Sequence, residues 1–162
     1  MDTIAYAGFV CDGTGNHKKL GVPGRHQLKN PPLDWPIVLY RGSLNIRLDS
    51  WPTEFHSTGR GVACLDDGQF APEFEIGRDQ FELNLLVPRE GVPRGGDAQV
   101  WRANVIANGE RKVNPPCWVL RRFGARVGEQ LELVSGDRLR DAYALENGMH
   151  VEILMFGTWR TS

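Results

Sequence analysis

Residues 129–153 read EQLELVSGDRLRDAYALENGMHVEI, and this stretch decides the class of fold. Apolar and polar residues alternate over residues 130–134, which is typical of a half-buried strand. Residues 137–145 are the best helix candidate in the chain, with Asp137 as its N-cap. The residues that can share one face of this helix are Leu139, Ala142 and Tyr143. An Asn-Gly turn ends it, and an apolar strand is predicted over residues 151–156.

Short apolar segments separated by glycine and proline continue through the rest of the chain. The 19 glycines and 10 prolines are spread over all 162 residues, which is typical of an all-β barrel or sandwich. Residues 21–36 are predicted to form a loop with one short helical turn. A hairpin turn is predicted at Asp66-Asp67-Gly68, and a second turn is predicted at Asn108-Gly109. Further strands are predicted over residues 4–10, 44–48, 81–87 and 99–107, and another is predicted to begin with residues 118–120.

The bulk composition fits one globular domain over residues 1–162. Hydrophobic residues make up 41% and charged residues 24% of the chain, which argues against disorder. The formal net charge of −1 gives no indication of a nucleic-acid or membrane-surface binder. The sequence shows neither an apolar run long enough for a bilayer nor a signal peptide, so a cytoplasmic location is expected.

Three cysteines and four histidines give no metal or disulfide pattern. The cysteines are Cys11, Cys64 and Cys117. Their number is odd and no two have C-x-x-C spacing, so neither a disulfide framework nor a zinc site is expected.

A glycine-rich segment, residues 13–18, follows the first predicted strand. It reads Gly-Thr-Gly-Asn-His-Lys. Glycines let a backbone approach phosphates closely, and successive N–H groups can form an anion-binding nest. Taken alone, the segment is more simply a connecting turn, because short glycine motifs are common.

Ser43 and Asn45 form a candidate metal site. In an extended segment both side chains point to one face, while Leu44 and Ile46 point into the core. A hydroxyl and an amide oxygen at this spacing can bind one Mg²⁺ if nucleotide phosphates bring the negative charge. The alternative is the polar, solvent-facing side of a half-buried strand.

Three motifs, in this order, resemble those of the archaeal-type CTP-dependent riboflavin kinases. Residues 8–15 resemble the family's glycine-rich nucleotide loop, and residues 41–49 (RGSLNIRLD) resemble its Gly-Thr-Leu-Asn motif. Residues 129–153 are similar to its C-terminal signature. The resemblance covers most of the chain but not residues 51–97. It implies a mainly β fold, a small six-stranded cradle-loop barrel with one or two short helices.

The resemblance also implies an activity, which is phosphoryl transfer from CTP to the riboflavin 5′-hydroxyl to give FMN and CDP. The protein would act by positioning and charge neutralisation. The implied cofactor is Mg²⁺, held by Ser43 and Asn45, and riboflavin is assigned to Glu132 and Gly124. The residues assigned to the nucleotide are Gly13, Thr14, Gly15, Asn16, His17, Lys18, Asp137, Arg138, Leu139 and Arg140. No general base is recognisable.

Other interpretations stay open at this point. His17 stands where the family loop has a further glycine, and residues 121–124 contain neither Thr nor Ser where the family has a Thr. These differences favour a barrel that binds a flavin or a nucleotide without turnover. A kinase of another small alcohol is a further alternative. Glu132, Arg138 and Arg140 could simply be solvated, and the five tryptophans could line a flavin pocket or fill the core.

Overall fold

The computed structural model describes residues 1–13, 21–52, 62–81, 95–123 and 129–160. Most of the strand predicted over residues 81–87 lies outside these ranges. The predicted site residues that also lie outside the described residues are Thr14, Gly15, Asn16, His17, Lys18 and Gly124.

Eight strands dominate the described residues. They are β1 (Asp2–Cys11), β2 (Leu44–Ser50), β3 (Phe70–Ala71), β4 (Phe74–Ile76), β5 (Ala98–Ala107), β6 (Glu110–Arg122), β7 (Gln130–Val134) and β8 (His150–Trp159). Two single-turn helices accompany them, α1 (Ala63–Asp66) and α2 (Leu139–Ala142), together with 3-10 turns at Arg25–Gln27 and Arg78–Gln80. Within the described residues, no helix combines the length and the apolar character needed to cross a membrane.

Six of the strands pair in a ring. The antiparallel pairings run β8–β1–β2–β7–β6–β5 and return to β8. The ring is weakest between β6 and β7, where only Trp118 with Val134 and Val119 with Leu133 are in register. β3 adds to β8 and β4 adds to β5 as short outer strands. The predicted mainly β, barrel-like fold is therefore confirmed.

Alternating side chains of the ring fill two apolar clusters on opposite faces of the sheet. On β5, Trp101 belongs to the interior cluster, whereas Val100 belongs to an outer cluster. Trp35 covers the outer cluster, where it is fully buried and its Nε1 donates to the Pro23 carbonyl oxygen at 3.0 Å. The predicted loop over residues 21–36, with its short helical turn, is thereby held against the barrel wall.

The β5–β6 hairpin has the predicted turn. Asn108 and Gly109 have φ angles of 52° and 74°, as a type I′ turn requires. The strand after the turn differs from the prediction. Residues 118–120 do not begin a strand but lie inside β6, which runs from Glu110 to Arg122 without interruption.

The prediction of a hairpin turn at residues 66–68 is wrong. Asp66 is the last residue of α1, and the Asp67 and Gly68 amides donate to the carbonyls of Ala63 and Leu65. The helical turn forms because Leu65, which is fully buried, packs into the interior cluster. Asp-Asp-Gly suits the end of a helix as well as a hairpin, so local chemistry did not separate the two.

The predicted helix over residues 137–145 is also shorter than expected. Only residues 139–142 form α2, and its N-cap is Arg138, without a side-chain capping bond, rather than Asp137. Leu139 and Tyr143 are buried as predicted, but Ala142 is exposed. The chain leaves the helix through Ala144, at φ 56°, and then buries Leu145 in the interior cluster.

Candidate functional site

A cavity of about 330 Å³ lies between the end of β1, the start of β2, the middle of β7 and α2. Its volume is within the range of small-molecule sites, roughly 300–1,000 Å³. All the described residues that were assigned to a site line this cavity. They are Gly13, Ser43, Asn45, Glu132, Asp137, Arg138, Leu139 and Arg140.

Strand register brings these segments together. Asn45 on β2 is paired with Cys11 on β1 and with Glu132 on β7. Gly13 leaves β1 two residues after Cys11, and Ser43 immediately precedes β2. Antiparallel pairing therefore places Gly13 and the Ser-Leu-Asn motif at the same end of neighbouring strands.

The alternative in which Asn45 lies on the solvent-facing side of a half-buried strand does not hold. Asn45 is only 5% exposed, because Gly13 lies directly over its side chain. A Cβ atom at Gly13 would be 2.3 Å from Asn45 Nδ2. A glycine at position 13 is therefore required by close packing on the amide, whether or not a phosphate is bound.

The Asn45 amide is fully engaged in hydrogen bonds. Nδ2 donates to the Ser43 carbonyl oxygen and to Ser43 Oγ, each at 3.2 Å. Oδ1 accepts a hydrogen bond from Gln130 Nε2 at 2.9 Å. Gln130 lies two residues before Glu132 on the same face of β7, and its role was not predicted. Its position in the alternating segment 130–134 was the available signal.

The arrangement of Ser43 and Asn45 does not match the geometry expected of a Mg²⁺ site, and their assignment to Mg²⁺ stays a prediction. The donor types suit a hard cation that arrives with phosphates. However, Asn45 turns its NH₂ group, and not its oxygen, toward Ser43 Oγ. Two oxygens therefore do not converge on one point. Among the described residues, no group of three or more His, Cys, Asp or Glu side chains could hold a metal either.

The two arginines of the cavity differ in their contacts. Arg140 donates to the Cys11 carbonyl oxygen at 3.0 Å and lies 3.4 Å from Asp12 Oδ1. Arg138 forms an exposed ion pair with Asp141 at 2.7 Å. Arg140 therefore anchors the end of β1 just before Gly13, while Arg138 is held by a surface ion pair. An anionic ligand could replace that pair at little cost.

Residues 135–137 are fixed by backbone contacts at the floor of the cavity. The Tyr40 amide donates to the Ser135 carbonyl oxygen at 2.9 Å, and Ser135 Oγ donates to the Pro116 carbonyl oxygen at 2.9 Å. The Asp137 amide lies 3.4 Å from Ser135 Oγ. The approach to α2 is therefore preorganised, although a four-residue helix supplies little dipole of its own.

Glu132 is half-buried on the outward face of β7 and lines the cavity. Burial lowers the pKa of Arg122 to about 10, and the carboxylates of Glu132 and Asp97 act in the opposite direction. Arg122 thus remains a cation at neutral pH. An ionised carboxylate at this position can accept hydrogen bonds from hydroxyl or N–H groups of a ligand.

Tyr40 is the aromatic residue among the described residues that line the cavity, and it is 43% exposed. Its role was not predicted, although it lies three residues before Ser43. The interpretation of the tryptophans as a flavin pocket is not supported for Trp35, Trp101 and Trp118. All three are fully buried in the apolar clusters.

The cysteines take no part in a disulfide, as predicted. Burial raises the pKa of all three thiols, and that of Cys117 reaches about 11. Thiolate chemistry is therefore disfavoured, even for Cys11 beside the cavity.

Comparison with models of known protein families and with curated proteins gives no match to this chain. The functional assignment consequently depends on the motifs and on the cavity that their residues line.

Proposed function

We propose that this protein is a nucleotide-dependent kinase that transfers a phosphoryl group from CTP to the 5′-hydroxyl of riboflavin. One observation carries the proposal. The described residues assigned to nucleotide, metal and flavin come from three separate parts of the chain, around Gly13, Ser43 and residues 132–140, and they line one cavity. Residues without a shared role would be expected to lie on separate parts of the surface.

The nucleotide would occupy the side of the cavity formed by Gly13 and α2. Gly13 presents backbone without a side chain, which allows close approach of a phosphate. Arg138 can exchange its exposed partner Asp141 for a phosphate. Arginine binds phosphate through two parallel, bidentate hydrogen bonds. Arg140 would act mainly by holding the backbone at Cys11 in place.

The alcohol substrate would lie toward Glu132 and Tyr40. Glu132 would accept hydrogen bonds from the ribityl hydroxyls or the flavin ring, and Tyr40 offers an exposed aromatic face. The hydroxyl oxygen of the substrate attacks the γ-phosphorus, the bond to the bridging oxygen breaks, CDP leaves with the electron pair, and the hydroxyl proton is released to water. Catalysis of this kind depends on alignment and on charge neutralisation.

Mg²⁺ belongs to the proposal as the counter-ion that CTP brings. No catalytic step is assigned to it, because Ser43 and Asn45 do not present two oxygens to one point. A cytoplasmic location is part of the proposal as well.

The second candidate is a barrel that binds flavin or nucleotide without turnover. The hydrogen bond from Gln130 Nε2 to Asn45 Oδ1 favours this second candidate, because it occupies the oxygen that would otherwise bind the metal. A stable complex with riboflavin or CTP that produces no FMN would identify this function.

The direct test is to incubate the protein with riboflavin, MgCl₂ and either CTP or ATP, and to separate FMN from riboflavin by chromatography. FMN formation with CTP supports the proposal. Glu132→Gln should weaken riboflavin binding about tenfold or more, since one charged hydrogen-bond acceptor is lost. Glu152→Gln is the matched control, because Glu152 is exposed on β8. Absence of FMN with both nucleotides would refute the kinase.

A further inference from the structure

The described lining of the cavity offers hydrogen-bonding groups and little apolar surface. Three leucines belong to the lining, Leu44, Leu133 and Leu139. All three are buried and pack into the interior cluster of the barrel, so they leave little side-chain surface to a ligand. Most other lining residues carry hydroxyl, amide, carboxylate or guanidinium groups. Among the described lining residues, Tyr40 therefore supplies the main exposed apolar surface.

An apolar surface continues from Tyr40 to the outside of the cavity. Ile37 and Val38 are 54% and 75% exposed, and Tyr40 is 43% exposed. Val38 and Tyr40 are two positions apart, so their Cα atoms are separated by at most about 7 Å. Single exposed apolar residues are common on protein surfaces, whereas several together mark a binding surface. We call Ile37, Val38 and Tyr40 the apolar rim.

The apolar rim is held in place by its neighbours in the chain. Leu39 is buried in the outer cluster, and the Tyr40 amide donates to the Ser135 carbonyl oxygen at 2.9 Å. Before the rim, the Arg25 amide donates to the Pro36 carbonyl oxygen at 2.9 Å. The exposed side chains therefore stand on a fixed backbone, which lowers the entropic cost of binding a rigid ligand.

We infer that the apolar rim binds the flat ring of the alcohol substrate, while the cavity holds the hydroxyl chain of that substrate and the phosphates. The inference rests on the proposed function, because a flavin combines a flat ring that has an apolar edge with a chain of hydroxyl groups. Tyr40 belongs both to the cavity lining and to the rim. A chain that lies at Glu132 therefore leads directly to the rim. The rim favours an alcohol with a flat ring over a small polar alcohol such as glycerol, which has no apolar surface to cover it.

Val38→Ser tests the rim, because it removes apolar surface from a side chain that is 75% exposed and leaves the core unchanged. The probe is lumiflavin, which is the flavin ring with a methyl group in place of the ribityl chain. Fluorescence anisotropy measures its binding and that of riboflavin. Both dissociation constants should rise about fivefold, as expected when part of an apolar contact is lost.

Val113→Ser is the matched control. Val113 is the same type of residue, is 57% exposed and lies outside the described lining of the cavity. The dissociation constants of this variant should stay within about twofold of the wild type. Ribitol, which is the chain without the ring, should not displace lumiflavin from the wild type. Displacement by ribitol would place the ring inside the cavity and overturn the inference.

The outcomes separate the role of the rim from the kinase. Lumiflavin that does not bind the wild type, or that binds Val38→Ser equally well, would overturn the role of the rim, and FMN formation would still decide the kinase. A fivefold loss in Val38→Ser, in a protein that forms no FMN, would support the role of the rim and refute the kinase.

Two further results would overturn the inference. Equal losses in Val38→Ser and Val113→Ser would show that lumiflavin adheres to any exposed apolar residue. A wild type that sediments as a dimer, together with a monomeric Val38→Ser, would assign the rim to a second copy of this chain.

Discussion

Gly13→Ala is the most direct test of the packing in the cavity, because the Asn45 amide already fills the space that the added methyl group would need. An ideal Cβ at this position would be 2.3 Å from Asn45 Nδ2, 2.6 Å from Cγ and 2.7 Å from Oδ1. Ordinary contact begins at 3.4 Å, so the amide or the Gly13 backbone must move by about 1.1 Å (3.4 minus 2.3). The Asn45 hydrogen bonds to Ser43 and Gln130 cannot all survive such a shift.

The expected cost follows from overpacking and from the lost hydrogen bonds. Overpacking of this kind typically destabilises a protein by about 1–3 kcal/mol, and each weakened bond contributes about 1 kcal/mol. Because Gly13 is exposed, its backbone can lift and release part of the strain. We therefore expect a loss of about 1–2 kcal/mol in the free energy of unfolding, and a fall in CTP affinity of about tenfold or more.

The assay pairs urea denaturation with calorimetric titration of CTP in the presence of MgCl₂. Gly77→Ala is the matched control. Its backbone has an ordinary φ of −64°, and its added Cβ would meet the movable end of the Asp79 side chain at 2.8 Å. The control should stay within about 0.5 kcal/mol of the wild type and should bind CTP normally. A Gly13→Ala protein with wild-type stability and CTP affinity would refute the close packing of Gly13 on Asn45.

Three further predictions concern the scaffold around the cavity. Trp35→Phe removes a buried indole and its hydrogen bond to a backbone carbonyl, and should lower the free energy of unfolding in urea by about 1–3 kcal/mol; an unchanged midpoint would contradict it. Tyr143→Phe leaves the Pro115 carbonyl oxygen without its hydroxyl donor, and should lower the melting temperature through a loss of about 1–2 kcal/mol; an equal or higher melting temperature would contradict it. The hydrogen bond from Arg102 holds the pKa of Asp34 below its ordinary value. The pair therefore stabilises the fold above that ordinary pKa, and its contribution disappears as the pH falls through the lowered pKa. Asp34→Asn should remove this pH dependence, which is worth less than about 1 kcal/mol for a partly exposed pair, and a wild-type pH profile of the urea midpoint in the variant would contradict the pairing.

The strands were predictable because their patterns are local. Period-two alternation in β2 and β7 and the Asn108-Gly109 turn are properties of a few neighbouring residues, and the structure contains all three. The short helices were less predictable. α2 stops after Ala142 because burial of Leu145 in the interior cluster redirects the chain, and local helix propensity carries no information about that cluster.

The lining of the cavity was predictable in part. The residue types at Gly13, Ser43 and Asn45 and the resemblance at Glu132 marked these four as candidates, and all four line the cavity. The burial and the hydrogen-bond partners of these side chains were not predictable. The burial of Asn45 depends on Gly13, which reaches it only through the pairing of Cys11 with Asn45. Tyr40 and Gln130 carried no motif and became visible only through the cavity and the hydrogen-bond network.

The sequence by itself determined a mainly β chain, because the alternation of apolar and polar residues is a local property, and it marked Gly13, Ser43, Asn45 and Glu132 as candidate site residues. Only the tertiary structure decided which atoms of those residues face the cavity. Asn45 and Gln130 are 85 positions apart, and Asp12 and Arg140 are 128 apart. The orientation of an amide or a guanidinium is set by whichever partners the ring of strands brings within about 3 Å, and those partners are distant in the chain.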